Sequence, residues 1–213
     1  EIYLRNATLY AEDMWNAVLK AGKKHKLMVI APAHHRRIQA GILSWGQDMD
    51  QEHNPFQCNL GYQVSLSGKG EWNKKADYVG REALEKMKEQ LKNGEKPYKL
   101  QLVGLVLGGK PIEEYAPDFW LISNSSGGKP VGYITSPWYH PEKKQNIAMG
   151  YVPYEGNLNS KGFPIGKFGK KYKVHLPKKY SNTPVSAVVV PIPFTQSFNP
   201  NTRESEVLAV LNK

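Results

Sequence analysis

The segment 34–50 carries a dense set of side chains that could bind a ligand. It opens with His34, His35, Arg36 and Arg37 and continues to Trp45, which precedes a Gly-polar-Asp step. Imidazole and guanidinium groups bind carboxylates and phosphates, and an indole ring can face a planar or cationic ligand. Four basic side chains in a row also occur on solvated helix starts, so the pattern indicates an anion site only when another feature supports it.

Metal, thiol and phosphate-loop chemistries have less support in this sequence. The six histidines show no HExxH or similar ligand spacing, so we predict no metal site. The single cysteine, Cys58, excludes an internal disulfide, and no motif marks it as a nucleophile. The Gly-Gly-Lys-Pro steps at 108–111 and 127–130 place proline where a phosphate-binding helix would begin, so we interpret both as turns.

Two helices are predicted in the first half of the chain. The first covers residues 11–21 and ends at Gly22. Its apolar face consists of Met14, Trp15, Val18 and Leu19. The second begins at Asp77, which can cap it, and ends before Gly94 and Pro97. Its apolar positions are Ala83, Leu84, Met87 and Leu91, a stripe typical of a face that packs into a core.

After Pro97 the pattern changes to short β-type runs separated by turn residues. These runs are residues 100–107, 119–122, 131–135, 147–152, 172–176 and 185–190. Short strands at such spacing favour an antiparallel barrel or sandwich of about 110 residues over alternating βαβ units. We therefore predict two domains, residues 1–96 and residues 97–213.

The chain carries 29 Lys and Arg against 19 Asp and Glu, a net charge of +10 that indicates an anionic partner. The basic run 167–173 includes Phe168 and Tyr172, as in single-strand binders, but no RNP, KH or zinc motif accompanies it, so nucleic acid is the less favoured partner. No apolar run is long enough to span a membrane. Because the sequence opens without Met and without a signal-peptide pattern, we expect a cytoplasmic protein that is part of a longer polypeptide.

Several segments of the sequence resemble the glycine-cleavage T-protein (aminomethyltransferase) superfamily of folate-dependent enzymes. Residues 37–48 are similar to the family's Arg-apolar-Glu-Ala-Gly pattern and the aromatic-Gly-polar-Asp step that follows it. Residues 54–56 are similar to its proline segment, and residues 77–84 to its aromatic-apolar-Gly-basic-Glu-Ala-Leu segment. The β-rich part contributes residues 131–136, 143–152 and 190–194. The pieces occur in order, so the resemblance covers nearly the whole chain.

The resemblance implies an α+β fold, in which the remainder of a T-protein-type α/β folate-binding region is followed by a C-terminal antiparallel β-barrel. It also implies tetrahydrofolate as the cofactor. By this resemblance the candidate folate-binding residues are Glu1, His34, His35, Arg36, Trp45 and Phe198. A carboxylate at position 1 could accept two hydrogen bonds from a pterin, and the basic residues follow Ala33, where the family has an arginine near the folate glutamate tail.

The family's catalytic aspartate is expected in an N-terminal portion, on the same polypeptide or on a partner chain, so no catalytic residue is assigned here. The basic excess, including Lys143 and Lys144, would attract the oligoglutamate tail of cellular folates.

The deviation at residues 33–36 resembles the demethylase branch of the superfamily, which includes dimethylsulfoniopropionate demethylase. These enzymes pass a methyl group from a sulfonium, amine or ether to tetrahydrofolate. Trp45, Trp138 and Tyr139 are then candidate walls for a cationic donor, with core packing as the alternative.

We therefore expect a tetrahydrofolate-dependent methyl or one-carbon transferase that acts on a small methyl donor, with a demethylase favoured over the aminomethyltransferase of glycine cleavage. A folate-binding accessory module of an oxidase stays open as an alternative. An RNA-maintenance relative also stays open, although residues 76–82 lack the cysteine of its Lys-Gly-Cys-Tyr segment.

Overall fold

The computed structural model describes residues 9–31, 33–64, 66 and 78–194. The predicted strand end at 1–4, the predicted cap Asp77, and the site candidates Glu1 and Phe198 lie outside the described residues. The chain divides into two compact units, Glu1–Ala33 and His34–Lys213. The domain boundary between residues 96 and 97 stays a prediction.

The first unit contains helix α1, Ala11–Gly22, followed by one turn of 3-10 helix at Lys23–His25. This confirms the first predicted helix, and Gly22 is its last residue. Acidic side chains in the first turn and Lys20 in the last complement the helix dipole. No residue of α1 is buried, and Trp15 is 52% exposed.

The second unit begins with the short helix α2, His34–Gln39, and later contains α3, Arg81–Lys92. A 3-10 turn at Gly61–Gln63 lies between them. Helix α3 confirms the second predicted helix, but it begins later than predicted, at Arg81 with Gly80 as the N-cap residue. Leu91 is buried, and Leu84 and Met87 pack partly buried against the same small cluster. None of the described helices combines the length and the apolar character that crossing a bilayer requires.

Within the described residues, six antiparallel strands close into a barrel, as the family resemblance implies. They are β1 Leu100–Leu107, β2 Trp120–Ser123, β3 Pro130–His140, β4 Gln145–Pro153, β5 Lys171–Val174 and β6 Val185–Val190. Their order around the barrel is β1-β4-β3-β2-β5-β6, and β6 closes on β1. Strand β3 runs further than predicted because a register shift between Ile134 and Ser136 lets pairing with β4 continue past the Ser-Pro step.

Strand β1 is buried on both faces. Val103 and Leu105 point into the cluster that fills the barrel, whereas Leu102 and Val106 point into a second cluster outside it. Successive side chains of a strand alternate between faces, so a strand covered on both sides has a continuous apolar sequence. The outer cluster includes Ile38, which anchors α2 to the barrel. The fold thereby fixes the position of the basic segment that starts at His34.

Candidate functional site

His34 lies at the start of α2 between two aromatic rings. The centroid of its imidazole is 5.0 Å from that of Tyr115 and 5.6 Å from that of Trp138, and the planes of His34 and Trp138 are 17° apart. Arg37, one turn further along α2, places Nε 3.5 Å from His34 Nδ1. We call His34, Arg37, Tyr115 and Trp138 the His34 cluster. It brings an imidazole and a guanidinium together with two aromatic faces.

A buried carboxylate holds Arg37 in place. Arg37 Nη1 donates to Asp48 Oδ2 at 2.8 Å, and the Asp48 side chain has no exposed surface. Asp48 Oδ1 accepts hydrogen bonds from Thr135 Oγ1 and Ser136 Oγ, both at 2.6 Å. Arg37 Nη2 also donates to Ser136 Oγ at 2.8 Å. Because these bonds compensate the buried charge, Asp48 can fasten α2 to strand β3.

The turn that carries Trp45 is ordered by the same carboxylate. The backbone N–H of Ser44 donates to Asp48 Oδ2 at 2.9 Å, and the N–H of Asp48 donates back to Ser44 O at 2.8 Å. Trp45 is 66% exposed on this turn. Next to it, Gln47 donates to the carbonyl of Thr135 and accepts from the Tyr115 hydroxyl at 2.7 Å. The turn therefore also fixes one ring of the His34 cluster.

The other two predicted basic residues lie on different sides of α2. Arg36 is exposed, whereas His35 is half-buried and close enough to His140 to affect it electrostatically. Burial lowers the pKa of His140, the Glu142 carboxylate opposes this, and the charges of Lys143 and His35 lower it further. His35 thus belongs to a positive region that includes the turn between β3 and β4.

The three aromatic residues predicted as donor walls do not converge. Trp138 and Tyr139 are consecutive in β3, so their side chains point to opposite faces of the strand. Trp138 belongs to the His34 cluster, whereas Tyr139 lines a separate cleft of about 260 Å³ with Lys144 and Asn146. The structure places Trp138 beside His34 and Tyr139 beside Lys144, in two different sites.

Asp50, His53 and Tyr133 form a chain of three titratable groups that the sequence did not predict. His53 Nδ1 lies 2.6 Å from Asp50 Oδ1, and His53 Nε2 lies 3.1 Å from the hydroxyl of Tyr133. When His53 donates its Nδ1–H to Asp50, its Nε2 can accept a hydrogen bond from the hydroxyl of Tyr133. These three groups can therefore hold or move a proton at that hydroxyl. The Asp-x-x-His spacing is only a weak sequence signal of the Asp50–His53 contact. No local pattern points to Tyr133, because it is 80 residues further along the chain.

The environment shifts the pKa of two of these groups. The backbone N–H of Glu52 and then the imidazole of His53 hold the pKa of Asp50 below its ordinary value of 3.8. Burial raises the pKa of Tyr133, and the charge of Asp50 adds to this. Tyr133 is also stacked on Phe119, with centroids 5.3 Å apart.

Cys58 is buried beside Tyr151. Its thiol lies 3.3 Å from the hydroxyl of Tyr151, which donates to the carbonyl of Asp48 at 2.7 Å. Burial raises the pKa of the Cys58 thiol and of the Tyr151 hydroxyl. A buried thiol with a raised pKa is a poor nucleophile, so Cys58 serves the packing of the region.

Two protein-family models match the chain in order. The GCVT N-terminal domain matches residues 1–68, and the glycine cleavage T-protein C-terminal barrel domain matches residues 101–194.

Similar proteins include dimethylsulfoniopropionate demethylase DmdA of Ruegeria pomeroyi, 34% identical over 71% of this chain and 36% of its own length. Aminomethyltransferases from Symbiobacterium thermophilum and Koribacter versatilis are 30% and 28% identical, over 72% and 91% of this chain and 36% and 44% of their own lengths. This chain therefore spans less than half the length of these relatives.

A solved structure supports the fold. The glycine cleavage system aminomethyltransferase T from Bartonella henselae superposes with a TM-score of 0.52 at 22% identity, over 76% of this chain and 37% of that protein.

Proposed function

The chain belongs to the glycine-cleavage T-protein superfamily, and on that premise we propose that it forms the folate-tail-binding and barrel part of a tetrahydrofolate-dependent methyl or one-carbon transferase. The observation that carries the proposal is the His34 cluster, which lies at the position where the family resemblance implies the folate tail. Cations and imidazoles suit carboxylates, and flat rings suit a planar ligand, so the residues present fit the cofactor.

Each basic residue of this region has a proposed task. His34 is held between two rings and pairs with the tail, while exposed Arg36 provides a cation for its outer carboxylates. His35 and the adjoining Lys143 and Lys144 extend the positive surface. Trp45, exposed on its fixed turn, offers an aromatic face to the cofactor. Glu1 and Phe198, outside the described residues, complete the proposed set.

When bound, tetrahydrofolate supplies the nitrogen that accepts the methyl group. This chain contributes binding and orientation, because holding two reactants in the correct geometry is itself a large part of catalysis. The Asp50–His53–Tyr133 chain provides a place where a proton can be held near the barrel. We propose that the catalytic residue comes from an N-terminal portion of the same protein or from a partner chain.

Among donors, we propose a small sulfonium, amine or ether, with the demethylase favoured. The similarity to dimethylsulfoniopropionate demethylase DmdA supports this choice. The second candidate is the aminomethyl transfer of glycine cleavage, which the similarity to several aminomethyltransferases favours. Both donors can be supplied, with tetrahydrofolate, to this chain together with the N-terminal portion, and the products identified by mass spectrometry. Methylated folate from dimethylsulfoniopropionate supports the first candidate, and product from the aminomethyl donor alone supports the second.

The binding part of the proposal is tested with variants. We expect His34→Ala to weaken tetrahydrofolate binding by about fivefold, the effect of losing one charge-assisted contact of about 1 kcal/mol. The matched control is His175→Ala, because His175 is another half-buried histidine, bonded to Ser123 at 2.9 Å. Equal affinities of the two variants would contradict a role for His34 in the folate site.

A further inference from the structure

A second concave site lies in the barrel unit, apart from the His34 cluster. A cleft of about 530 Å³ opens between strands β1 and β6 and the segment 159–168. Its volume falls in the range of roughly 300 to 1,000 Å³ that small-molecule sites occupy. None of the residues of the His34 cluster lines it.

Four aromatic rings line this cleft. Phe56 is 1% exposed and Phe163 is half-buried, so these two rings are already covered. Tyr62 and Phe168 are 67% and 45% exposed, and they present large apolar faces to water. Aromatic faces of this kind stack well on a planar ligand.

At the floor of the cleft, the backbone at two glycines packs closely against neighbouring side chains. A Cβ atom added at Gly166 would lie 2.3 Å from Val103 Cγ1, and one added at Gly61 would lie 2.7 Å from Phe56 Cδ1. Only glycine permits these approaches. The cleft is therefore a formed feature of the packing.

The Asn59 amide and the Asn159 amide oxygen in the cleft already form hydrogen bonds within the protein. Asn59 Nδ2 donates to Leu102 O at 2.9 Å, and Asn59 Oδ1 accepts from Gln101 at 2.7 Å. Asn159 Oδ1 accepts the backbone N–H groups of Lys161 and Phe163. These bonded groups do not compete for a ligand's polar atoms, so the aromatic rings and the one cation of the lining remain for a ligand.

The cleft has one uncompensated cation. Lys161 is exposed, and no carboxylate in the described ranges forms an ion pair with it. By contrast, the nearby Lys167 lies 3.5 Å from Glu155. An anionic group on a ligand would therefore find Lys161 available.

We propose that this cleft binds a planar aromatic or heteroaromatic molecule that carries one acidic group. The ring lies against Phe168 and Tyr62, and the acid pairs with Lys161. The cleft shares no residue with the His34 cluster, so this proposal is tested separately from the proposed folate function.

The test uses the full chain and two fluorescent probes that differ in charge. The anionic probe is 1-anilino-8-naphthalenesulfonate, and the neutral probe is N-phenyl-1-naphthylamine, which has the same rings without the sulfonate. We expect saturable binding of one anionic probe per chain, about fivefold tighter than the neutral one because of one partly exposed ion pair. Lys161→Ala should remove this difference, and Phe168→Ala should weaken both probes by about tenfold.

Two control variants keep the test specific. Phe119 is 48% exposed, close to the exposure of Phe168, and Lys129 is exposed like Lys161, but neither residue lines the cleft. Phe119→Ala and Lys129→Ala should bind both probes as the unaltered chain does, as should His34→Ala. Circular dichroism verifies that each variant is folded. Binding that does not saturate, or that Phe119→Ala reduces as much as Phe168→Ala, overturns the proposal.

Discussion

At the scale of residues, the carboxylate of Asp48 joins parts of the chain that are far apart in sequence. It receives hydrogen bonds from Arg37 of α2, from its own turn through Ser44, and from Thr135 and Ser136 of β3. The His34 cluster depends on Asp48, because Asp48 bonds to Arg37 and orders the turn to which the Tyr115 hydroxyl is hydrogen-bonded. Asp48 is therefore a positioning residue in the proposed site.

Replacing Asp48 by asparagine leaves the Arg37 guanidinium without its buried counter-charge. We expect Asp48→Asn to lower the free energy of unfolding by about 3 kcal/mol, as measured by urea denaturation. The matched control is Glu85→Gln, which removes a carboxylate at the same 2.8 Å distance from Arg81 but 44% exposed. That exposed pair should contribute less than about 0.5 kcal/mol. Similar losses for both variants would show that burial does not set the importance of Asp48.

The hydrogen bonds that Asp50 accepts from the backbone N–H of Glu52 and from His53 predict a pH dependence of stability. The pKa of Asp50 is held below 3.8 in the folded chain, so its ionised form stabilises the fold. This contribution is fully present above pH 3.8, the ordinary value, and is lost as the pH falls from there through the lower folded value. We expect the stability difference between the unaltered chain and Asp50→Asn to be constant near neutral pH and to shrink in acid. A difference that grows in acid would contradict the interaction.

Cys58 should resist thiol reagents in the folded chain. Its side chain is 2% exposed and its pKa is raised by burial, so little thiolate forms at mildly alkaline pH. We expect disulfide exchange with a colorimetric reagent to be at least about tenfold slower in the native chain than in denaturant, because the buried thiol must first become exposed by local opening. Equal rates in the two states would mean that the region around Cys58 opens readily.

At the scale of elements, strands β3 and β4 carry several residues of the site. Strand β3 supplies Tyr133, Thr135, Ser136 and Trp138, and β4 supplies Tyr151. The two strands approach closely where Gly132 lies against the backbone of Tyr151. Errors in their pairing would therefore displace several site residues together.

A methyl group at Gly132 tests this close pairing. A Cβ atom there would lie 2.1 Å from the carbonyl oxygen of Tyr151, whereas one at Gly127 in the preceding turn would meet nothing within 4 Å. We expect Gly132→Ala to destabilise the chain by about 2 kcal/mol or more in thermal or urea unfolding, and Gly127→Ala to have little effect. If Gly132→Ala leaves stability unchanged, the close approach of β3 and β4 is wrong.

The elements were largely predictable from sequence, but the contacts between them were not. Strands β1 and β6 have the predicted bounds because continuous apolar runs between turn residues give a strong local signal. The closure of β6 on β1 and the placement of Tyr115 and Trp138 around His34 join residues about 80 to 100 positions apart, for which no periodicity exists. The sequence indicated His34 and Trp138 as separate candidates, whereas neither their stacking nor the position of Tyr115 had a signal in it.

At the scale of the whole molecule, the net charge of +10 gives the proposed function an electrostatic consequence. A positive chain attracts a polyanionic ligand, and the attraction weakens as salt screens it. The folate tail gains one carboxylate with each added glutamate. Affinity should therefore rise with tail length and fall with ionic strength.

The most direct test of the central claim is an anaerobic calorimetric titration with tetrahydrofolate and its triglutamyl form, on the unaltered chain and on Arg36→Ala, with Lys129→Ala as the control. We predict saturable binding that the longer tail strengthens by roughly fivefold, the effect of about 1 kcal/mol from added ion pairs. Arg36→Ala should lose this gain, and Lys129→Ala should keep it. Binding that appears only when an N-terminal portion is supplied would make the site a shared one. The absence of binding both with and without that portion would contradict the folate assignment.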